Sequence, residues 1–521
     1  MSDPTPSEPE FALELSLADL AEALEESAWL EEPERRAELE LCQRYEQEAQ
    51  RDRERKEKQR ELPTGLDPND LAQTGWAVIY PKGKRGERQE ALHRLLERRG
   101  QQAGELFREL SFTPGQDIRE FLWREAGESA GTIDVRKLPY YVLLAGNPEE
   151  LPFELQYQLA INHAVGRLDF DDLNDFHRYS EHLVATERDG ARRQRKLGIF
   201  AVEDSSDPTL ETLSRHLVDP LGKRLAGYHS WDLLCCRGAG ADRQALENLL
   251  SEARSPGVLL VASHGAGCSS KGSEQKALQG ALELRTAGPA GGGLMPSTFS
   301  AAELPREADL GGLIAFLFAC WGAGTPRKDN FPFVKNGRAR LCRLHPDELS
   351  DQPFVAALPK KLLAQGAQAV VGHVDRGWTL SFAWVVNKVV ELEAVRSLED
   401  SLKQLLDGAR LGHALRPLHR RYTALASQLV APLEHRLRGG RENRELLAWQ
   451  WTALNDARNF IVLGDPAVYA LGKPSHPRKL GSENLVQLPA DLLEALAVRA
   501  QAAGRGLEET VGELLRRSLA A

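Results

Sequence analysis

No apolar run in this chain approaches the roughly 20 residues that a bilayer-spanning helix needs, so no membrane segment is expected. Cysteine is scarce, with six in 521 residues and no regular spacing, which excludes a disulfide framework. A C-x-x-C pair and a His-x-x-x-His spacing are both missing. Cys235, Cys236, His264, Cys268 and Cys320 therefore make no zinc signature, and no metal is expected. Gly238-Ala239-Gly240 follows a strand-like run but lacks a complete dinucleotide fingerprint and a phosphate-binding Lys-Ser pair, so no nucleotide or other cofactor is expected. Net positive charge is missing too. The formal charge of -10 argues against a generic nucleic-acid surface. The acidic start lacks a signal-peptide pattern, and with reduced thiols this leads to the expectation of a cytoplasmic protein.

Against these absences stand two short, wholly apolar runs that each stop at one reactive side chain. They are Val258-Leu259-Leu260-Val261-Ala262-Ser263-His264-Gly265 and Leu313-Ile314-Ala315-Phe316-Leu317-Phe318-Ala319-Cys320-Trp321-Gly322. Runs of this kind read as strands buried on both faces of a mostly parallel sheet. In such sheets ligands sit beyond the carboxyl ends of the strands. Parallel neighbours would deliver His264 and Cys320 to one crevice as a dyad, with the imidazole taking the thiol proton and returning it to a leaving amine. Gly265 and the small residues around Cys320 permit close approach of a substrate backbone, and the amides of Gly265 and Cys320 are the expected oxyanion donors. A lone cysteine at a strand end is ordinarily packing; its combination with a histidine at a second strand end points to chemistry.

The order strand-His-Gly then strand-Ala-Cys resembles the caspase-fold peptidases, and among them the CHAT family. Further segments carry the likeness: Tyr141-Val142-Leu143-Leu144 leading to Leu151-Pro152-Phe153-Glu154-Leu155, then Phe299-Ser300-Ala301-Ala302-Glu303-Leu304, Gly366-Ala367-Gln368-Ala369-Val370-Val371-Gly372, and Phe460-Ile461-Val462-Leu463-Gly464-Asp465-Pro466. The resemblance implies an α/β caspase-like fold and a cysteine endopeptidase, with His264 as general base and Cys320 as nucleophile. It also implies protein substrates, control by an activating partner or by proteolysis, and a place in bacterial defence or regulated cell death. By the same resemblance Asp375 and Trp378 border the substrate groove. A buried carboxylate at Asp375 would favour a basic residue before the scissile bond, unless it pairs with Arg376 or a nearby lysine. Trp321, Phe331 and Phe333 offer apolar contacts.

Four regions follow from texture: a charged, partly helical extension over 1–70, the peptidase-like body over 71–473, a linker over 474–483 and a small module over 484–521. In the first, Leu13, Leu17, Leu20 and Leu24 share a helical face. In the body, strands are expected at 75–80, 139–145, 196–202, 231–236, 257–263, 312–319, 368–373 and 459–463, alternating with helices. Thr286 to Pro305 reads as a glycine-rich loop, with Lys271, Lys276 and Arg285 as basic positions for self-cleavage. Trp321 to Pro353 reads as a second long loop.

The last region reads as strand, Pro489, helix, Gly504-Arg505-Gly506, helix, and resembles a ribbon-helix-helix module, which dimerises by pairing strands. Its outward strand positions, Glu483, Leu485 and Gln487, carry no cation. Homodimerisation or partner docking through 484–521 is therefore expected over DNA binding. The alternative for the whole chain is a catalytically silent caspase-fold scaffold acting through that module.

Overall fold

The computed structural model describes residues 62–471, except 64, 127–132, 191–192, 229–230, 251–255, 269–271, 288–293, 306–307, 309, 332, 336–337, 341–347, 379–383, 387–388, 392 and 438–443. The expectations for residues 1–61, for the linker and for the module over 484–521 lie outside the described residues.

Ten strands form one sheet. In chain order they are β1 (Trp76–Pro81), β2 (Phe107–Phe112), β3 (Tyr141–Ala145), β4 (Ala164–Leu168), β5 (Gln194–Ala201), β6 (Asp232–Arg237), β7 (Pro256–Ala262), β8 (Ile314–Phe318), β9 (Ala369–His373) and β10 (Phe460–Gly464). Their spatial order is β2-β1-β3-β4-β10-β9-β8-β7-β5-β6. Strands β2, β1, β3 and β4 are parallel to one another, and so are β9, β8, β7, β5 and β6. β10 runs antiparallel to β9. The expected α/β architecture, a mostly parallel sheet flanked by helices, is the one observed.

Strand alternation explains why both faces are covered. Trp76, Val78 and Tyr80 of β1, with Tyr141 and Leu143 of β3, enter one core, whereas Ala77, Ile79, Val142 and Leu144 enter another. On the first face lie α1 (His93–Ala103), through Leu95 and Leu96, and α4 (Leu173–Asp189), through Phe176, Tyr179 and Leu183. On the second lie α2 (Ile118–Ala126), through Phe121, and α3 (Phe153–Leu159), through Leu155 and Leu159. Every residue of β7 and β8 is buried, as continuous apolar runs require.

Each of the eight expected strands is present, and two more join them. β2 is an edge strand whose Arg108 and Glu109 are only half-buried, and β4 carries Gly166 and Arg167. The 286–305 segment is a correction. Leu282–Ala287 and Leu294–Phe299 pair as an antiparallel hairpin, to which His264–Gly265 adds a third strand. Within 321–353, Gly324–Thr325 pairs with Phe354–Val355 and Phe333–Lys335 pairs with Arg338–Arg340.

Candidate active site

β7 and β8 are hydrogen-bonded parallel neighbours, so the residues after their carboxyl ends emerge side by side. His264 and Cys320 line the same small cavity of about 50 Å³, together with Thr209, Leu210 and Trp378. Backbone packing fixes their proximity. A Cβ built on Gly265 would lie 1.9 Å from the Cys320 carbonyl oxygen and 2.8 Å from its nitrogen. Only glycine fits after the histidine.

The Cys320 sulfur lies 3.6 Å from the Gly377 carbonyl oxygen, to which the thiol donates. Burial pushes the thiol above its ordinary value, against the opposing effect of a hydrogen bond from the Gly265 amide. The resting sulfur is therefore a thiol.

A residue that sequence reasoning missed orients His264. Asp207, at the start of α5 (Pro208–Leu213) and just beyond β5, places Oδ2 2.8 Å from His264 Nε2. Its Oδ1 accepts from the amides of Thr209 at 2.9 Å and Leu210 at 3.2 Å, which seats the carboxylate as the helix cap. Burial pushes this carboxyl up, but the hydrogen bonds from His264 and those amides win and hold it below the usual range. An ionised carboxylate accepts only, so the shared proton sits on His264 Nε2 and, in the neutral ring, Nδ1 is the unprotonated nitrogen. The available signal was Asp207-Pro208 at the carboxyl end of β5, the strand paired with β7 on the side away from β8.

The segment after β9 supplies the opposite wall. Trp378 lines the cavity, packs tilted against Phe331 with ring centroids 5.5 Å apart and donates its amide to Asp456 Oδ1. Asp375 is fully buried, with φ of 72° in the left-handed region, a conformation costly for a residue with a side chain. Its carbonyl accepts from the Trp321 amide at 2.7 Å, and Trp321 has φ of 55°. Two strained residues are thus tied together beside Cys320. Asp375 lies 3.6 Å from Arg376 Nε and is not among the residues that line the His264–Cys320 cavity. The Arg376 guanidinium also bonds Asp329 and lies over the rings of Phe331 and Trp378. Asp375 Oδ2 is buried without a hydrogen-bond partner, and burial raises this carboxyl to about 7. The Trp321 ring packs on Gly267, where a Cβ would meet it at 2.9 Å.

Of the three positions expected for self-cleavage, Arg285 is corrected. It sits in a paired strand, 12% exposed and ion-paired, where no protease reaches an extended backbone. Lys276 lies in a short helix, Gln275–Leu278, and Lys271 lies outside the described residues. Among the described residues no helix is long and apolar enough to cross a membrane, and no group of three or more His, Cys, Asp and Glu is arranged to hold a metal.

No protein-family model matches the chain, and no curated protein matches it. Solved structures similar to it include the Arg-specific cysteine proteinase gingipain R (RgpB), at 12% identity over 78% of this chain and 80% of that chain, with a TM-score of 0.42. A complex of the Porphyromonas gingivalis RgpB pro- and mature domains matches at 12% identity over 76% and 79%, with a TM-score of 0.41. The separase–securin complex of Saccharomyces cerevisiae matches at 8% identity over 64% of this chain and 16% of that chain, with a TM-score of 0.30. At such identities and scores these neighbours assign no activity here.

Proposed function

We propose that this chain is a cysteine endopeptidase of caspase-like fold, in which His264 and Cys320 act as a dyad. The observation that carries the reading is their delivery by adjacent parallel strands to one cavity, with Gly265 packed on the Cys320 backbone. His264 Nδ1 takes the thiol proton, the sulfur attacks a peptide carbonyl, and the imidazolium returns the proton to the leaving amine. Water then releases the acyl group. The amides of Gly265 and Cys320 stabilise the oxyanion.

In this reading Trp321 and Trp378 contact the substrate, and Asp375 sets a preference for a basic residue before the scissile bond. Support for the last point is one buried Asp375 oxygen that has no hydrogen-bond partner; burial keeps this carboxyl partly protonated near neutral pH, and a cationic side chain reaching it would supply the partner and draw it to the carboxylate.

The cavity of about 50 Å³ is far below the several hundred Å³ of a working pocket, which favours a resting form opened by an activating partner or by proteolysis. The cellular setting proposed is bacterial defence or regulated cell death, in the cytoplasm, with homodimerisation through 484–521.

The test is a panel of fluorogenic peptides varied at the residue before the scissile bond, assayed with the parent, Cys320→Ala and His264→Ala. Cleavage strongest after Arg or Lys and lost in both variants is expected. Cleavage that survives Cys320→Ala would refute the nucleophile, and a preference unchanged in Asp375→Ala would refute the pocket.

A further inference from the structure

Asp207 is not held by His264 alone. The hairpin strand Leu282–Ala287, which also pairs Glu283 with His264 and Leu282 with Gly265, brings Arg285 to the same carboxylate. Arg285 Nη2 lies 3.7 Å from Asp207 Oδ2, the oxygen that bonds His264 Nε2, while Arg285 Nε lies 3.1 Å from Asp204 Oδ2. The Arg285 side chain is only 12% exposed and its Nη1 is buried without a hydrogen-bond partner. A buried guanidinium is retained at a cost, and here it stands in line with the proposed general base.

Resting on the dyad reading above, we infer that Arg285 is a positioning residue: it shares Asp207 Oδ2 with His264 and so couples the hairpin to the proton affinity of the imidazole. A cation beside the carboxylate weakens the field that favours imidazolium. The other charged or titratable groups around this pair are Asp204 beside it in the β5 loop, Glu283 on the hairpin, Cys320 after β8 and His373 across the cavity, with Asp456 against His373 and with Asp375 and Arg376 acting on Cys320. None of these supplies a second cation to Asp207 Oδ2 among the described ion pairs.

The test uses the full chain and compares the parent, Arg285→Gln and Arg285→Lys. Two readouts are taken: the pH profile of kcat/KM on the best reporter peptide, and the NMR titration of the His264 ring, which needs no turnover. Loss of the guanidinium removes the cation that Asp204 and Asp207 share. In Arg285→Gln the His264 midpoint and the acid limb of the profile are both expected to move up by about half to one pH unit, and Arg285→Lys is expected to restore them. Superimposable His264 titrations in parent and Arg285→Gln would overturn the proposal, as would a rate reduced equally at every pH. A shifted titration in a chain whose Cys320 also resists a small electrophilic probe would uphold the coupling and defeat the peptidase reading instead.

Discussion

A Cβ at position 265 would lie 1.9 Å from the Cys320 carbonyl oxygen, and both backbones belong to strand ends that cannot separate without breaking the sheet. Gly265→Ala is expected to lower kcat/KM by at least about 100-fold, the scale of losing an oxyanion donor, with a matching fall in Cys320 alkylation; a variant within a few fold of the parent would contradict the packing argument. Asp207→Asn keeps the helix cap but removes the charge that fixes the Nε2–H tautomer. A loss of about 100-fold is expected, with little change in thermal midpoint. For Asp375 the sign can be worked through. Its folded value of about 7 exceeds the ordinary carboxyl value of 3.8, so the folded protein holds the extra proton between those limits and stability falls as pH rises through them. Asp375→Asn is expected to gain stability relative to the parent from about pH 4 to 7 and to hold that gain above; urea midpoints at pH 5 and 8 that shift equally would disprove it.

The elements that position the site were largely legible, because buried parallel strands leave continuous Val, Ile, Leu and Phe runs. β4 escaped because it looks like a turn. Gly166 is needed where a Cβ would come within 2.1 Å of the Gly464 carbonyl oxygen, and Arg167 is fully buried, donating to the carbonyls of Gly146 and Leu151 and to Gln156 Oε1. β2 escaped because an edge strand carries charge. The hairpin was read as a loop from its glycines, and Asp207 was invisible because its role depends on β5 lying next to β7, a neighbour relation that composition does not encode. The exit of β10 was legible as a motif, but its reason is packing. Asp465 accepts from Trp76 Nε1 at 3.0 Å and Arg99 Nε at 2.7 Å, and Arg99 in turn bonds Glu187 at 2.6 Å. Both Arg99 and Asp465 are wholly buried, so Asp465→Ala leaves Arg99 Nε and Trp76 Nε1 in the core without their acceptor, while Glu187 still pairs the guanidinium. A cost of about 2–4 kcal/mol is expected from denaturant unfolding, the scale of two unsatisfied buried donors; a loss below about 1 kcal/mol would contradict that reading.

At the scale of the molecule, three loops leaving one edge of the parallel stretch converge: Asp207 after β5, His264 after β7 and Cys320 after β8, with the Arg376–Trp378 segment after β9 closing the side. The sheet explains why residues 57 and 56 positions apart meet, and the small cavity explains why an activator is proposed. The most direct test is competitive labelling of all cysteines by a small chloroacetamide, read residue by residue by mass spectrometry in parent and His264→Ala. The dyad predicts that Cys320 labels ahead of Cys235, Cys236 and Cys268, and that this lead disappears in His264→Ala. Labelling of Cys320 no faster than that of Cys268, or unchanged without His264, would contradict it.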